Sequence, residues 1–147
     1  MSIEGNKEVV RQFTSDFNAC GGDSTKIRAL FEKYAAPDFV THNLIRGDIN
    51  REQRLQNVLM VMPAMPDLNY IIEDLVAEGD KVVARYIARF THKGTYMGIP
   101  ATGKQIVFKG AEIFKIAGGK FVETWDFPDA LGMLTQLGVI PSASPKK

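Results

Sequence analysis

Residues 105–127 read QIVFKGAEIFKIAGGKFVETWDF, and this stretch decides the fold. Polarity alternates on both sides of Ala117-Gly118-Gly119, the pattern of two strands joined by a tight glycine turn. Along the first strand, Ile106, Phe108, Gly110, Glu112, Phe114 and Ile116 share one face, and Glu112 is the only charge among them. Gln105, Val107, Lys109, Ala111, Ile113 and Lys115 make a mixed row on the other face. An acid inside an apolar row must be paired, protonated or turned towards a cavity. Arg85 or Arg89 on a neighbouring strand could supply the pairing.

Whether Glu112 meets Asp126 depends on the turn. A two-residue turn pairs Ala117 with Lys120, sets Glu112 against Trp125 and sends Asp126 to the opposite face. A three-residue turn pairs Ile116 with Lys120, sets Glu112 against Thr124 and leaves Asp126 one step further on the same side. Glycine at the loop's end favours the three-residue turn, or an equivalent bulge. Asp126 lies between Trp125 and Phe127. Rings on both sides should draw its carboxylate out of bulk water, raise its pKa and suit it to proton transfer near neutral pH. The plainer alternative is an Asp that caps a turn before Pro128.

Working back from this hairpin, two more strands are expected at 68–77 and 81–91, turned by Glu78-Gly79-Asp80. A glycine-rich connection, KGTYMGIPATGK, leads from them to residue 105. Helical spacing governs the first half. Val9, Val10, Phe13, Phe17 and Cys20 form one stripe, stopped by Gly21-Gly22. Asp23 and Ser24 can cap a second helix with Ile27, Leu30, Phe31 and Tyr34, ended by Pro37, and DFVTHN over 38–43 is extended. Asn50 with Gln53 forms a capping box for a third helix, whose apolar face is Leu55, Val58, Leu59 and Met62 and which stops at Pro63. Asp129 caps a last helix to Leu137, with Gly138 just beyond its end.

Helices followed by antiparallel hairpins predict an α+β domain, a cone-like barrel whose curved, mostly antiparallel sheet wraps the N-terminal helices. One domain over 1–141 is expected, with 142–147 as a flexible tail. The 147 residues carry 18 basic and 17 acidic side chains, so no strong field favours nucleic acid or an anionic membrane. No apolar run approaches a membrane span, and MSIEGNKEVV lacks a signal-peptide core, so a cytoplasmic protein is expected. Cys20 alone cannot form an internal disulfide and reads as core. With only His42 and His92 there is no zinc or haem spacing, and no glycine-rich phosphate loop occurs; no metal or cofactor is expected.

His42, in its polar extended segment, could act as acid, base or hydrogen-bonding orienter, or be a structural histidine. His92 opens the glycine-rich connection and reads as exposed. Trp125, Tyr86, Tyr96, Phe90, Phe108 and Phe114 could line an apolar pocket or simply pack. Met62, in a methionine-rich region, could form an adaptable pocket wall.

The pattern of Thr91, Gly94, Gly98, Ile99, Pro100, Thr102 and Gly103, then Gly119-Lys120, Trp125-Asp126 and Gln136-Leu137-Gly138, resembles the SnoaL-like polyketide cyclases, or ester cyclases. DFVTHN adds to the likeness, which runs from the first helix to GMLTQLG. The resemblance implies a nuclear-transport-factor-2-like (cystatin-like) barrel. It also implies ring closure by intramolecular aldol condensation without metal or cofactor, with Asp126 as general acid/base. The founding cyclase carries histidine where this chain has Glu112, so a second acid stands near Asp126 here. Catalysis is therefore expected from Asp126, Glu112 and His42, on a hydrophobic carbonyl-bearing substrate held in a homodimer or higher homo-oligomer. The alternatives are a non-catalytic small-molecule binding protein, or a hydratase, isomerase or epoxide hydrolase on the same fold.

Overall fold

The computed structural model describes residues 2–43 and 47–141; the tail expected over 142–147 lies outside them. Two helices open the chain, α1 (Ile3–Ala19) and α2 (Ser24–Tyr34), capped by the side chains of Ser2 and Asp23. Strand β1 (Ala35–Asn43) follows α2 directly, so Pro37 lies inside a strand rather than ending a helix. A short strand β2 (Gly47–Asn50) leads into α3 (Arg51–Val61), which begins with the Asn50–Gln53 capping box. Pro63 then tightens the chain into a 3-10 turn over Met62–Ala64. Strands β3 (Asn69–Glu78), β4 (Lys81–Thr91), β5 (Gln105–Ala117) and β6 (Lys120–Pro128) follow, and α4 (Ala130–Gln136) is capped by Asp129.

Among the described residues, six strands form one open sheet in the order β2-β1-β6-β5-β4-β3. Four pairings are antiparallel, and β1 runs parallel to β6, with Thr41 opposite Thr124 and His42 opposite Trp125. Local hairpin signals carry no trace of that parallel pairing between distant segments. Among the described residues no helix is long and apolar enough to cross a membrane.

The β5–β6 turn differs from the expected three-residue form. Gly118 (φ 58°) and Gly119 (φ 77°) are both left-handed, and Ala117 pairs with Lys120 across a two-residue turn. A bulge then rescues the face. Ile116 opposes Phe121 while Lys115 opposes Glu123, leaving Val122 as the extra residue. From there Phe114 pairs with Thr124 and Glu112 directly with Asp126.

Two apolar clusters fill the concave side. The first joins α1 and α2 to the sheet through Val10, Ile27, Phe31, Tyr34, Phe114 and Phe121. Phe13 meets Phe121 edge-on at 5.0 Å. The second, around Met65, Tyr86, Phe90, Ile106, Phe108 and Met133, sits towards α4. Gln136 fastens α4 in place. Beyond Pro128 strand β6 no longer pairs with β5, and the Gln136 amide satisfies the Val107 backbone on both sides, at 2.8 Å to its N–H and 2.6 Å to its carbonyl.

The glycine-rich connection folds back on itself. Tyr96 and Ile99 exchange two backbone hydrogen bonds around Met97-Gly98, with φ 51° and 76°. Such a turn suits Asn or Gly at its first central position, and methionine there is strained. Met97→Asn should therefore raise stability by about 0.5–1 kcal/mol in urea unfolding, since Asn tolerates this backbone.

Candidate functional site

Between the two clusters lies a cavity of about 300 Å³. That is the lower end of the range for small-molecule sites. Tyr86, Tyr96, Phe108, Phe114 and Met62 line it, together with both acids, Glu112 and Asp126. Met97 also lines it and is 53 % exposed, marking where the cavity reaches solvent.

Strand alternation puts the acids there. Asp126 and Thr124 face inwards, so Trp125 and Phe127 face outwards, and neither lines the cavity. The rings that desolvate Asp126 are not its chain neighbours. They come from neighbouring strands of the same sheet: Tyr86 touches the carboxylate, and Tyr70 and Phe108 line the cavity with it. Phe90 does not line the cavity either; it packs behind Phe108 at 6.2 Å and Tyr96 at 6.3 Å and holds those walls.

His42 is also elsewhere. Opposite Trp125 on the convex face, its ring stacks on the indole at 5.1 Å. Its Nδ1 lies 2.7 Å from Asp48 and its Nε2 2.6 Å from Glu123. Hydrogen bonds to Glu123, then Asp48, raise its pKa. The imidazole thus ties β2, β1 and β6 together and has no access to the cavity. His92, expected to be exposed, is fully buried: its backbone bonds Lys104 and Gly103, and its Nδ1 sits 2.9 Å from the Thr102 hydroxyl.

Neither arginine weighed as a partner pairs with Glu112. Arg85 extends from the other face of β4 to Glu73 and Asp74, and Arg89 has no ion pair among the described residues. Burial, and then the charge of Asp126, push Glu112 up to about 8, against the pull of Arg54 and a hydrogen bond from Thr124. Burial raises Asp126 too, opposed by Arg54, the Tyr86 hydroxyl at 3.0 Å and the Phe127 N–H. Asp126 has more donors to its charged form, so it ionises first and Glu112 stays protonated longer. Tyr86 and Tyr70 are themselves raised by burial and by Asp126, so both hydroxyls stay protonated.

Tyr86 reaches Asp126 because β5 has a glycine beneath it. Gly110 pairs with Tyr86, and a Cβ there would stand 2.5 Å from the phenolic oxygen and 3.0 Å from the Pro128 Cα. Gly110→Ala should therefore push the phenol off Asp126 and cost about 1–3 kcal/mol of stability in urea unfolding.

Arg54 was not legible as a site residue. It lines the cavity with Asn57, Val58 and Val61, a spacing of three, four and seven along α3. That stripe is offset by one residue from the expected apolar face, and it could have been found by asking which helix row carries a charge among apolar neighbours. Among the described residues no cluster of three His, Cys, Asp or Glu side chains could hold a metal ion. The arrangement is two opposed acids, a phenol and a cation around an apolar void.

A family model for SnoaL-like polyketide cyclases matches residues 4–137. Among solved structures, the chain is similar to a candidate polyketide cyclase from Acidithiobacillus ferrooxidans, with 32 % identity and a TM-score of 0.76 over 94 % of this chain and 98 % of that one. IdmH, a candidate polyketide cyclase from Streptomyces antibioticus, is 29 % identical with a TM-score of 0.75, over 91 % and 99 % of the two chains. AclR, a candidate hydroxylase from Streptomyces galilaeus, is 26 % identical with a TM-score of 0.85, over 99 % and 87 %. No curated protein matches the chain in sequence.

Proposed function

The chain belongs to the SnoaL-like polyketide cyclase family, and from that premise we propose that it closes a ring in a hydrophobic carbonyl compound by acid/base chemistry without a cofactor. The observation that carries this reading is the pair of opposed acids, Glu112 and Asp126, walled into an apolar cavity with raised pKa values.

Asp126, ionised and oriented by Tyr86, takes a proton from the carbon alpha to a carbonyl. The resulting enolate carbon attacks a second carbonyl of the same molecule, forming one carbon–carbon bond and an alkoxide. Glu112, the neutral acid, gives its proton to that alkoxide. The proton on Asp126 then passes to Glu112, its cross-strand neighbour, and both groups return to their starting state. No atom enters or leaves, so the product is an isomer of the substrate. A homodimer built on the convex face belongs to the same proposal, since Ile71, Val107 and Phe127 are 39–47 % exposed there.

The first half-reaction can be tested without the natural substrate. Apolar ketones such as 2-tetralone, incubated in deuterated buffer, should exchange their alpha protons faster with the protein than without it, as followed by proton NMR. Binding of such ketones with no gain in exchange would make the chain a binding protein and overturn the proposal.

A further inference from the structure

We propose that Arg54 is a catalytic residue of the same site, the cation that holds the enolate oxygen after Asp126 has removed the proton; this rests on the acid/base reading above. The first support is its solitude. The other polar side chains in the opening turns of α3 are engaged: Arg51 donates to the Ala35 carbonyl at 3.2 Å, Glu52 pairs with Arg28 at 3.6 Å, Gln53 closes the capping box, and Gln56 donates to Glu52 at 2.8 Å. Arg54 has no ion pair or hydrogen bond among the described residues, yet it lines the cavity that holds both acids. Arg54 is half-buried, and a guanidinium drawn partly out of water with no ion pair among the described residues is free to meet an oxyanion in the cavity.

The second support is the placing of charge. Arg54 acts on Glu112 and Asp126 through space but stands beyond ion-pair distance of either. Had it touched Asp126, protonation of that carboxylate would break a salt bridge and oppose the reaction. Held apart, it loses little when Asp126 becomes neutral and gains when negative charge appears on the substrate oxygen. An interaction that strengthens only as the reaction proceeds lowers the barrier. The planar fork of the guanidinium also suits an oxygen lying in the plane of an enolate. Substrates would therefore dock with the carbonyl oxygen towards α3 and the acidic carbon towards β6.

The test uses 4-nitrophenol, whose phenolate mimics an enolate oxygen and has its own long-wavelength absorption band. In Asp126→Asn, which removes the charge of the proposed base, the bound probe should show the phenolate band at a mildly acidic pH where the free probe is largely protonated and burial still keeps Glu112 neutral. Adding Arg54→Gln should return it to the phenol form, with a loss of about 10²-fold in the preference for phenolate. Arg54→Lys, which keeps charge without the fork, should fall between them, and serves alone if the glutamine variant does not fold. A phenolate fraction unchanged by either substitution, or no bound phenolate in Asp126→Asn itself, overturns the assignment. Failure of ketone exchange in the unmodified protein would instead count against Asp126, so the two proposals fail separately.

Discussion

Asp126→Asn is expected to lower alpha-proton exchange on apolar ketones by about 10²–10⁴-fold while the protein stays folded. Asparagine keeps the shape and can still meet the Tyr86 hydroxyl, so only the basic oxygen is lost. Stability should rise, since a carboxylate whose pKa is raised by burial is one that the fold disfavours as an anion. The loss of that anion should also let Glu112 ionise more easily, because the charge of Asp126 is the second cause of its elevated value. The check is exchange by proton NMR beside a thermal melt. Full activity in a well-folded variant would rule out the proposed base.

Glu112→Gln should have its largest effect on pH dependence. With the Glu112 carboxyl held near 8, the active form of the pair persists into mildly alkaline solution and is lost as that proton leaves. In stability the sign is set by the raised pKa. Below the ordinary glutamate range the group is protonated in both folded and unfolded chains and contributes no penalty. As pH climbs from there towards 8, the unfolded chain releases the proton and the folded chain does not, so stability falls. Glutamine removes that dependence. The variant should match the parent near pH 4 and gain on the order of 3–5 kcal/mol over it by pH 8. Urea unfolding across this range checks it, and parallel curves for the two proteins would show that Glu112 is not held neutral. Ring closure should slow by about 10²-fold, and its alkaline limb near 8 should disappear.

What the sequence made legible was local. Caps at Asp23, Asn50 and Asp129 follow from a polar side chain at one fixed offset from a helix start, and all three are present. The inward face of β5 could be read because alternation alone sets it, and Glu112 does face the cavity. Sequence reading failed where placement depends on distant partners. Strand β1 finds β6 across 83 residues between Thr41 and Thr124, and no short-range pattern encodes that. In isolation His42 read as catalytic and Trp125 as a pocket wall, but that pairing turns them together to the convex face. Arg54 drew no functional reading from the sequence, because the wall it faces comes from the distant sheet. Asp126 was placed for a partly mistaken reason: its flanking rings point away, and its desolvation is tertiary.

The surplus residue at Val122 has one more consequence. Phe121 and Asp126 are five apart, an odd interval, and still point the same way because the bulge takes up one step. A bulge also bends its strand and sharpens its coil. Shortening the chain by that residue would keep the same two acids opposed and let the strand straighten. The aim of the reactive groups and the tightness of the vessel around them are therefore separately adjustable, by a single peptide unit.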